Sequence, residues 1–183
     1  MNRADRPNLN HMGIFVWDLK RMEEFYTKAL GLLVTDRGTP NLFPGELVFL
    51  SGVSTRHHQL VLSSGRPPDA TFSVVMQMSF VLKSLQSLRE TVADALRQGA
   101  QLYGNTNHGN SWSSYFKDPE GNMIEVYVET PFYVAQPFAQ PLDLAKPDSE
   151  ILAETERLCR QASSFKSRED WEAAMAGRLA DAP

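Results

Sequence analysis

A chain of 183 residues, 42% hydrophobic and 22% charged, has room for one domain or for two small modules sharing a core, and its composition excludes disorder, a collagen repeat and a disulfide scaffold. Eighteen Lys plus Arg against 22 Asp plus Glu leave a net charge of −4, which argues against a dedicated binder of nucleic acid or of anionic membranes. The single cysteine, Cys159, forms no internal disulfide and points to a reducing cytoplasm; no apolar run approaches the roughly 18–20 residues that span a bilayer, and Met1–Pro7 carries no secretion signal.

The pattern of residues 12–17 predicts a strand, followed by a helix over 19–30 that gathers Met22, Phe25, Tyr26 and Ala29 on one face and stops at Gly31. Strands are predicted around 32–35, 46–51 and 57–62. After a linker over 63–69, Ser63-Ser64-Gly65-Arg66-Pro67-Pro68-Asp69, the same order returns. It has a strand at 74–82, a helix at 85–98 stopped by Gly99, and strands near 101–103, 111–116 and 122–129. Asp118-Pro119-Glu120-Gly121-Asn122 has the chemistry of a tight hairpin turn. Residues 131–183 read differently. Four prolines, Pro131, Pro137, Pro141 and Pro147, predict an extended arm. Two short amphipathic helices follow, the second opening on a capping-box spacing from Ser167 to Asp170. The tail shows no chemistry of its own and is expected to cover a module edge or a neighbouring subunit.

The two halves are related by a constant offset. Met12 falls on Met78, Glu24 on Glu90 and Ala29 on Ala95, 66 positions apart (78 minus 12), and the same shift lays Gln59-Leu60-Val61-Leu62 on Glu125-Val126-Tyr127-Val128. The expected fold is therefore α+β: two βαβββ modules, 8–65 and 72–130, in pseudo-two-fold arrangement around a cleft. A tail of arm and helices, 131–183, follows this 8–130 unit. Four polar side chains occupy equivalent places, His11 with Gln77 and Gln59 with Glu125. Alternation along a strand turns each toward the cleft. An imidazole and a carboxylate facing each other are half of a divalent metal site, and two His with one carboxylate is the usual open-sided Fe(II) set. Phe15, Trp17, Trp112, Tyr115 and Tyr127 are expected to line the cleft.

Paired βαβββ modules with a first-strand His and the closing run Tyr115-Phe116-Lys117-Asp118-Pro119-Glu120-Gly121-Asn122-Met123-Ile124-Glu125 resemble the vicinal oxygen chelate superfamily. That superfamily includes glyoxalase I, fosfomycin-resistance proteins and type I extradiol ring-cleaving dioxygenases. Within it, His57-His58-Gln59-Leu60-Val61-Leu62 and His108-Gly109-Asn110-Ser111-Trp112-Ser113-Ser114-Tyr115 are most similar to the extradiol dioxygenases. The resemblance implies a divalent metal, Fe(II) or Mn(II), with His11 and Glu125 as ligands and a small aromatic or vicinal-oxygen substrate. It implies Tyr115 as a hydrogen-bonding residue outside the metal's ligands and His58 as the acid–base His. The chain departs from the pattern at the second metal His, which is Gln77; His57 and His108 are the available substitutes, and His108 is a candidate for catalysis from its Gly-Asn-rich loop. A homodimer is the expected assembly. Two alternatives share the fold: a metal-free small-molecule binding or resistance protein, favoured by Gln at two of four positions, and a glyoxalase-like lyase, which needs a carboxylate where Gln59 stands.

Overall fold

The helices form where their apolar faces and caps dictate. In α1 (Leu19–Leu30) the Asp18 side chain accepts from the Arg21 N–H, and Gly31 closes the last turn at φ 66°, a conformation that costs an L side chain but not glycine. Met22, Phe25, Tyr26 and Ala29 are the buried face, as the periodicity predicts. The second helix, α2 (Leu85–Arg97), repeats the plan with Ser84 as its cap and Leu85, Leu88, Val92 and Ala95 buried. The computed structural model describes residues 7–41 and 44–181; residues 1–6, read above as free of a secretion signal, lie outside these.

Each helix crosses between parallel strands. β1 (Met12–Val16) pairs with β4 (Leu60–Ser64), and β3 (Leu47–Ser51) and β2 (Leu33–Gly38) continue the sheet in the order β1-β4-β3-β2. The second sheet places β5 (Met78–Leu82) against β8 (Met123–Glu129), then β7 (Ser111–Lys117) and β6 (Gln101–Asn107). Both second strands carry a bulge at the same place, between Val34 and Asp36 and between Leu102 and Gly104. The fold is the predicted α+β pair of βαβββ modules.

The modules share one continuous apolar core. The ring of Phe25 on α1 meets Phe116 on β7 edge-on at 6.5 Å, and the Tyr26 hydroxyl donates to Asp118 Oδ2 at 2.9 Å. Asp118 is buried in the predicted hairpin turn, where its Oδ1 accepts from the Glu120 and Asn122 backbone N–H groups. Glu120, two positions on, accepts from the Trp17 and Asp18 N–H groups and faces Arg66, whose guanidinium lies 3.8 Å over the Trp17 ring. Trp17 is thus held in a clasp between modules and does not line the cleft.

Two further expectations are corrected. The predicted strand at 74–82 begins only at Met78, because β8 starts at Met123 and Met78 already faces Ile124; residues 74–76 lie beyond the end of β8. Trp112 points away from the cleft and into the tail, donating its indole N–H to Thr155 Oγ1 at 2.8 Å.

The tail covers a module edge, as expected. β10 (Gln140–Pro141) pairs with the free edge of β6, and β9 (Phe132–Tyr133) forms a short ribbon with β11 (Lys166–Ser167). Ile151, Thr155 and Cys159 form the buried face of α3 (Asp148–Cys159), and Ser167 caps α4 (Arg168–Asp181) through the Asp170 N–H. Thr155 is fully buried, accepts from Trp112 and from Asn107 Nδ2, and donates to the Ile151 carbonyl. Thr155→Val keeps the shape but orphans two buried donors, and is expected to cost about 2–4 kcal/mol, read as a lower urea midpoint at unchanged m-value.

Candidate functional site

Side chains on the cleft-facing rows of β5, β8 and β7 come together through register alone. Ser79, Glu125 and Tyr115 are direct cross-strand partners, so they form one row across three strands. Glu125 is buried, and its carboxylate is saturated by neutral donors. Tyr115 gives its hydroxyl proton to Oε1 at 2.7 Å, while Oε2 accepts from Gln77 Nε2 at 2.7 Å and from the Ser79 hydroxyl at 2.6 Å. Gln77 therefore presents its amide nitrogen to the carboxylate.

His108 extends the row. It sits in the β6–β7 hairpin beside Gly109, which has φ 75° and where a Cβ would meet Val134 Cγ2 at 2.5 Å, so only glycine fits this turn. The His108 Nε2 lies 2.9 Å from the Tyr115 oxygen and Nδ1 2.8 Å from the Phe138 carbonyl oxygen, an obligate acceptor. Nδ1 therefore carries a hydrogen. The one Tyr115 proton then lies between two acceptors, Glu125 and His108, and one additional proton on either of them completes every bond in the chain. Burial, then the hydrogen bond and charge of Glu125, hold the Tyr115 hydroxyl well above its ordinary range, so at neutral pH it is a donor.

The first module contributes imidazoles. The His58 ring lies against that of His11, centroids 4.2 Å apart and planes tilted by 57°, and meets the Phe49 ring at 5.1 Å; its Nδ1 lies 2.9 Å from His57 Nδ1. All three precede or flank strands: β4 begins only at Leu60, so strand alternation does not set where His57 and His58 point. Burial, then the neighbouring His11 and His57, lower the His58 pKa, leaving it the neutral base at pH 7. Gln59 spends its side-chain oxygen on the Gly52 N–H at 2.9 Å.

Ser79 lies nearest to both groups. It lines a small cavity of about 160 Å³ together with His11 and Gln59, and its hydroxyl donates to Glu125. Ser79 was missed in the sequence, although it lies one alternation beyond Gln77 on the same face. Thus Gln77, Ser79, Glu125, Tyr115 and His108 form one hydrogen-bonded group and His11 and His58 a second, and Ser79 of the first shares a cavity with His11 of the second. Among the described residues no three His, Cys, Asp or Glu side chains gather as a ready-made cation site.

The chemistry of the donor set nonetheless fits a divalent ion. A buried carboxylate is costly without a counter-charge, and among the described residues Glu125 has no ion-pair partner. Imidazole, carboxylate and amide oxygen are the donors that Fe(II) and Mn(II) accept.

Two βαβββ modules whose first strands flank a common cavity, with polar residues on both, define the architectural class. Residues 8–126 match the family model described as the Glyoxalase/Bleomycin resistance protein/Dioxygenase superfamily, and the chain belongs to that superfamily. A comparison with curated protein sequences gives no match. Among solved structures, a glyoxylase/bleomycin resistance protein/dioxygenase domain from Frankia sp. EAN1pec is 20% identical with a TM-score of 0.57, covering 69% of this chain and 94% of that one. A mutant of the fosfomycin resistance protein FosX from Listeria monocytogenes, complexed with Mn(II) and 1S,2S-dihydroxypropylphosphonic acid, is 16% identical with a TM-score of 0.51, covering 67% and 93%. The trypanothione-dependent glyoxalase I of Leishmania major is 23% identical with a TM-score of 0.53, covering 68% and 88%. These likenesses establish the fold.

Proposed function

We propose that this chain is a metal-dependent enzyme acting on a small aromatic substrate with vicinal oxygens, nearest in chemistry to extradiol ring cleavage. The observation that supports it is the buried, cation-free Glu125 carboxylate on the cleft face, tied to Tyr115 and His108. His11, Glu125 and, through its carbonyl oxygen, Gln77 are the residues that would hold the ion. When bound, a divalent ion supplies Lewis acidity toward the two substrate oxygens. Tyr115 offers its proton to a substrate oxygen, and His108 orients that hydroxyl and takes up or returns a proton through Nε2. His58, neutral and with its ring 4.2 Å from that of His11, is a second base on the His11 side.

The measurement is elemental analysis of protein purified without chelator. It is expected to give close to one first-row metal per chain, falling to background in His11→Ala and rising in Fe(II) affinity in Gln77→His, which restores the two-imidazole, one-carboxylate set. Tyr115→Phe keeps the ring and is expected to lower turnover of a catechol panel by roughly 10²-fold with metal content unchanged. A second reading, the metal-free binding protein, is favoured by the Gln77 amide nitrogen filling Glu125. A metal content of zero after anaerobic Fe(II) and Mn(II) loading selects it. The glyoxalase-like reading is the weaker, since Gln59 is neutral and its oxygen is engaged by Gly52.

The proposal includes a homodimer, supported by the exposed apolar row Phe72, Val74 and Met76 with Leu9, and a cytoplasmic location, supported by the single buried thiol of Cys159. Light scattering is expected to return a mass near twice 20.6 kDa.

A further inference from the structure

We propose that the tail builds a second subsite beside the Glu125 face, one that takes an uncharged planar aromatic ring. The idea rests on reading that face as the substrate cleft, and it concerns residues in which the sequence showed no chemistry. A cavity of about 230 Å³ is lined by Tyr127 and Glu129 of β8, by Phe132 and Tyr133 of β9, and by Arg168 and Trp171 of α4. For scale, a dry cavity of about 150 Å³ is enough to bind benzene.

Three observations define the occupant. The first is shape: Tyr133 and Trp171 stack with centroids 5.2 Å apart and planes 18° from parallel, so they act as one rigid aromatic wall. The ribbon of β9 with β11 and the Ser167 cap fix this wall in place. The second is charge. Arg168, the cation in the lining, is already held by Glu129 at 2.5 Å and by Glu172 at 2.7 Å. Arg168 and Glu129 therefore cancel within the lining, and a guanidinium already shared by two carboxylates offers no free charge to an aromatic acid. The third is position. Tyr127 shares a strand face with Glu125 and stands about 7 Å further along β8, roughly one ring away from the row of Ser79, Glu125 and Tyr115. A molecule with its oxygens at that row extends its distal part into the tail pocket.

The test uses the full chain, needs no turnover, and is run without added metal, so failure of the metal reading leaves it intact. Indole N–H resonances of Trp17, Trp112 and Trp171 are followed while 2-naphthol is added, Trp171 being assigned by its loss in Trp171→Phe. A saturable shift is expected at Trp171 and not at Trp17 or Trp112. Decahydro-2-naphthol, which has the skeleton without the π system, is expected to bind about tenfold more weakly, the scale of one lost stacking contact. 2-Naphthoate is expected to be weaker by a similar factor, and Glu129→Gln should narrow that gap. Trp171→Ala should weaken 2-naphthol about tenfold, with Tyr133→Leu as the substitute variant if Trp171→Ala does not fold. Equal binding of the saturated analogue, a shift at all three indoles or at none, or unchanged affinity in the variant that folds would each overturn the proposal.

Discussion

Asp118→Ala is expected to destabilise the fold by about 3–5 kcal/mol, the scale of removing one partner from a buried charged network. Four donors converge on this carboxylate: the Tyr26 hydroxyl, the Asn122 side-chain amide, and the backbone N–H groups of Glu120 and Asn122. The loss falls on the joint between modules, because Tyr26 belongs to α1 and the others to the β7–β8 hairpin. Urea unfolding should show a midpoint lowered by about 2 M at a typical m-value for this size. Asp118→Asn keeps the volume and part of the acceptor set and should cost less. Burial raises the Asp118 carboxyl above its ordinary range, against the lowering effect of its hydrogen bonds. The folded state therefore holds that proton more tightly than the unfolded one, and the wild-type chain loses stability as pH rises through the raised value. Its advantage over Asp118→Asn should accordingly grow on acidification from neutrality; a gap independent of pH would show that ionisation of Asp118 does not matter to the fold.

Glu125→Ala is expected to lower bound metal to background and turnover by on the order of 10³-fold, the upper end for loss of one electrostatic group from a site. Its effect on folding should be small by comparison. The substitution orphans Tyr115, Ser79 and Gln77, but these are on the cleft face, where water replaces the lost acceptor, and it removes a buried charge that has no ion-pair partner among the described residues. Metal content and melting temperature therefore separate the two roles. Retained metal in a folded Glu125→Ala protein would move the assignment to a metal-free binder.

Much of the architecture was legible because it is written in short-range signals. The bounds of α1, its four buried residues and the Gly31 stop follow from a 3.6-residue period and one backbone preference. The 66-residue shift holds for the first strands and helices. It fails for the closing strands: Met12 faces Leu60 but Met78 faces Ile124, so there the modules are offset by 64 (124 minus 60), and the equivalent of Glu125 in the first module is Val61. Gln59 and Glu125 keep the same facing because a slip of two residues preserves alternation, which is why the sequence alignment hid it. The His108–Tyr115 bond was not legible, since it depends on the register of a hairpin closed by Gly109. Trp112 shows the limit of alternation most clearly. The pattern identifies two faces of β7 but not which one meets the tail, and only Thr155, 43 residues away, decides it.

The placement of α3 has a consequence for how the chain is made. The edge of β6 is covered by Gln140–Pro141, and Trp112 and Asn107 find their buried partner in Thr155. During synthesis the second sheet therefore leaves the ribosome with a bare edge and two unmatched donors, and it stays so until the segment through Cys159 has emerged. Since α1 draws on Phe116 and Asp118 of that sheet, the first half waits as well. Folding of the second sheet is gated by the segment that carries β10 and α3. A product terminated before α3 keeps an open strand edge that can template aggregation, so interrupted synthesis is expected to give insoluble or degraded material.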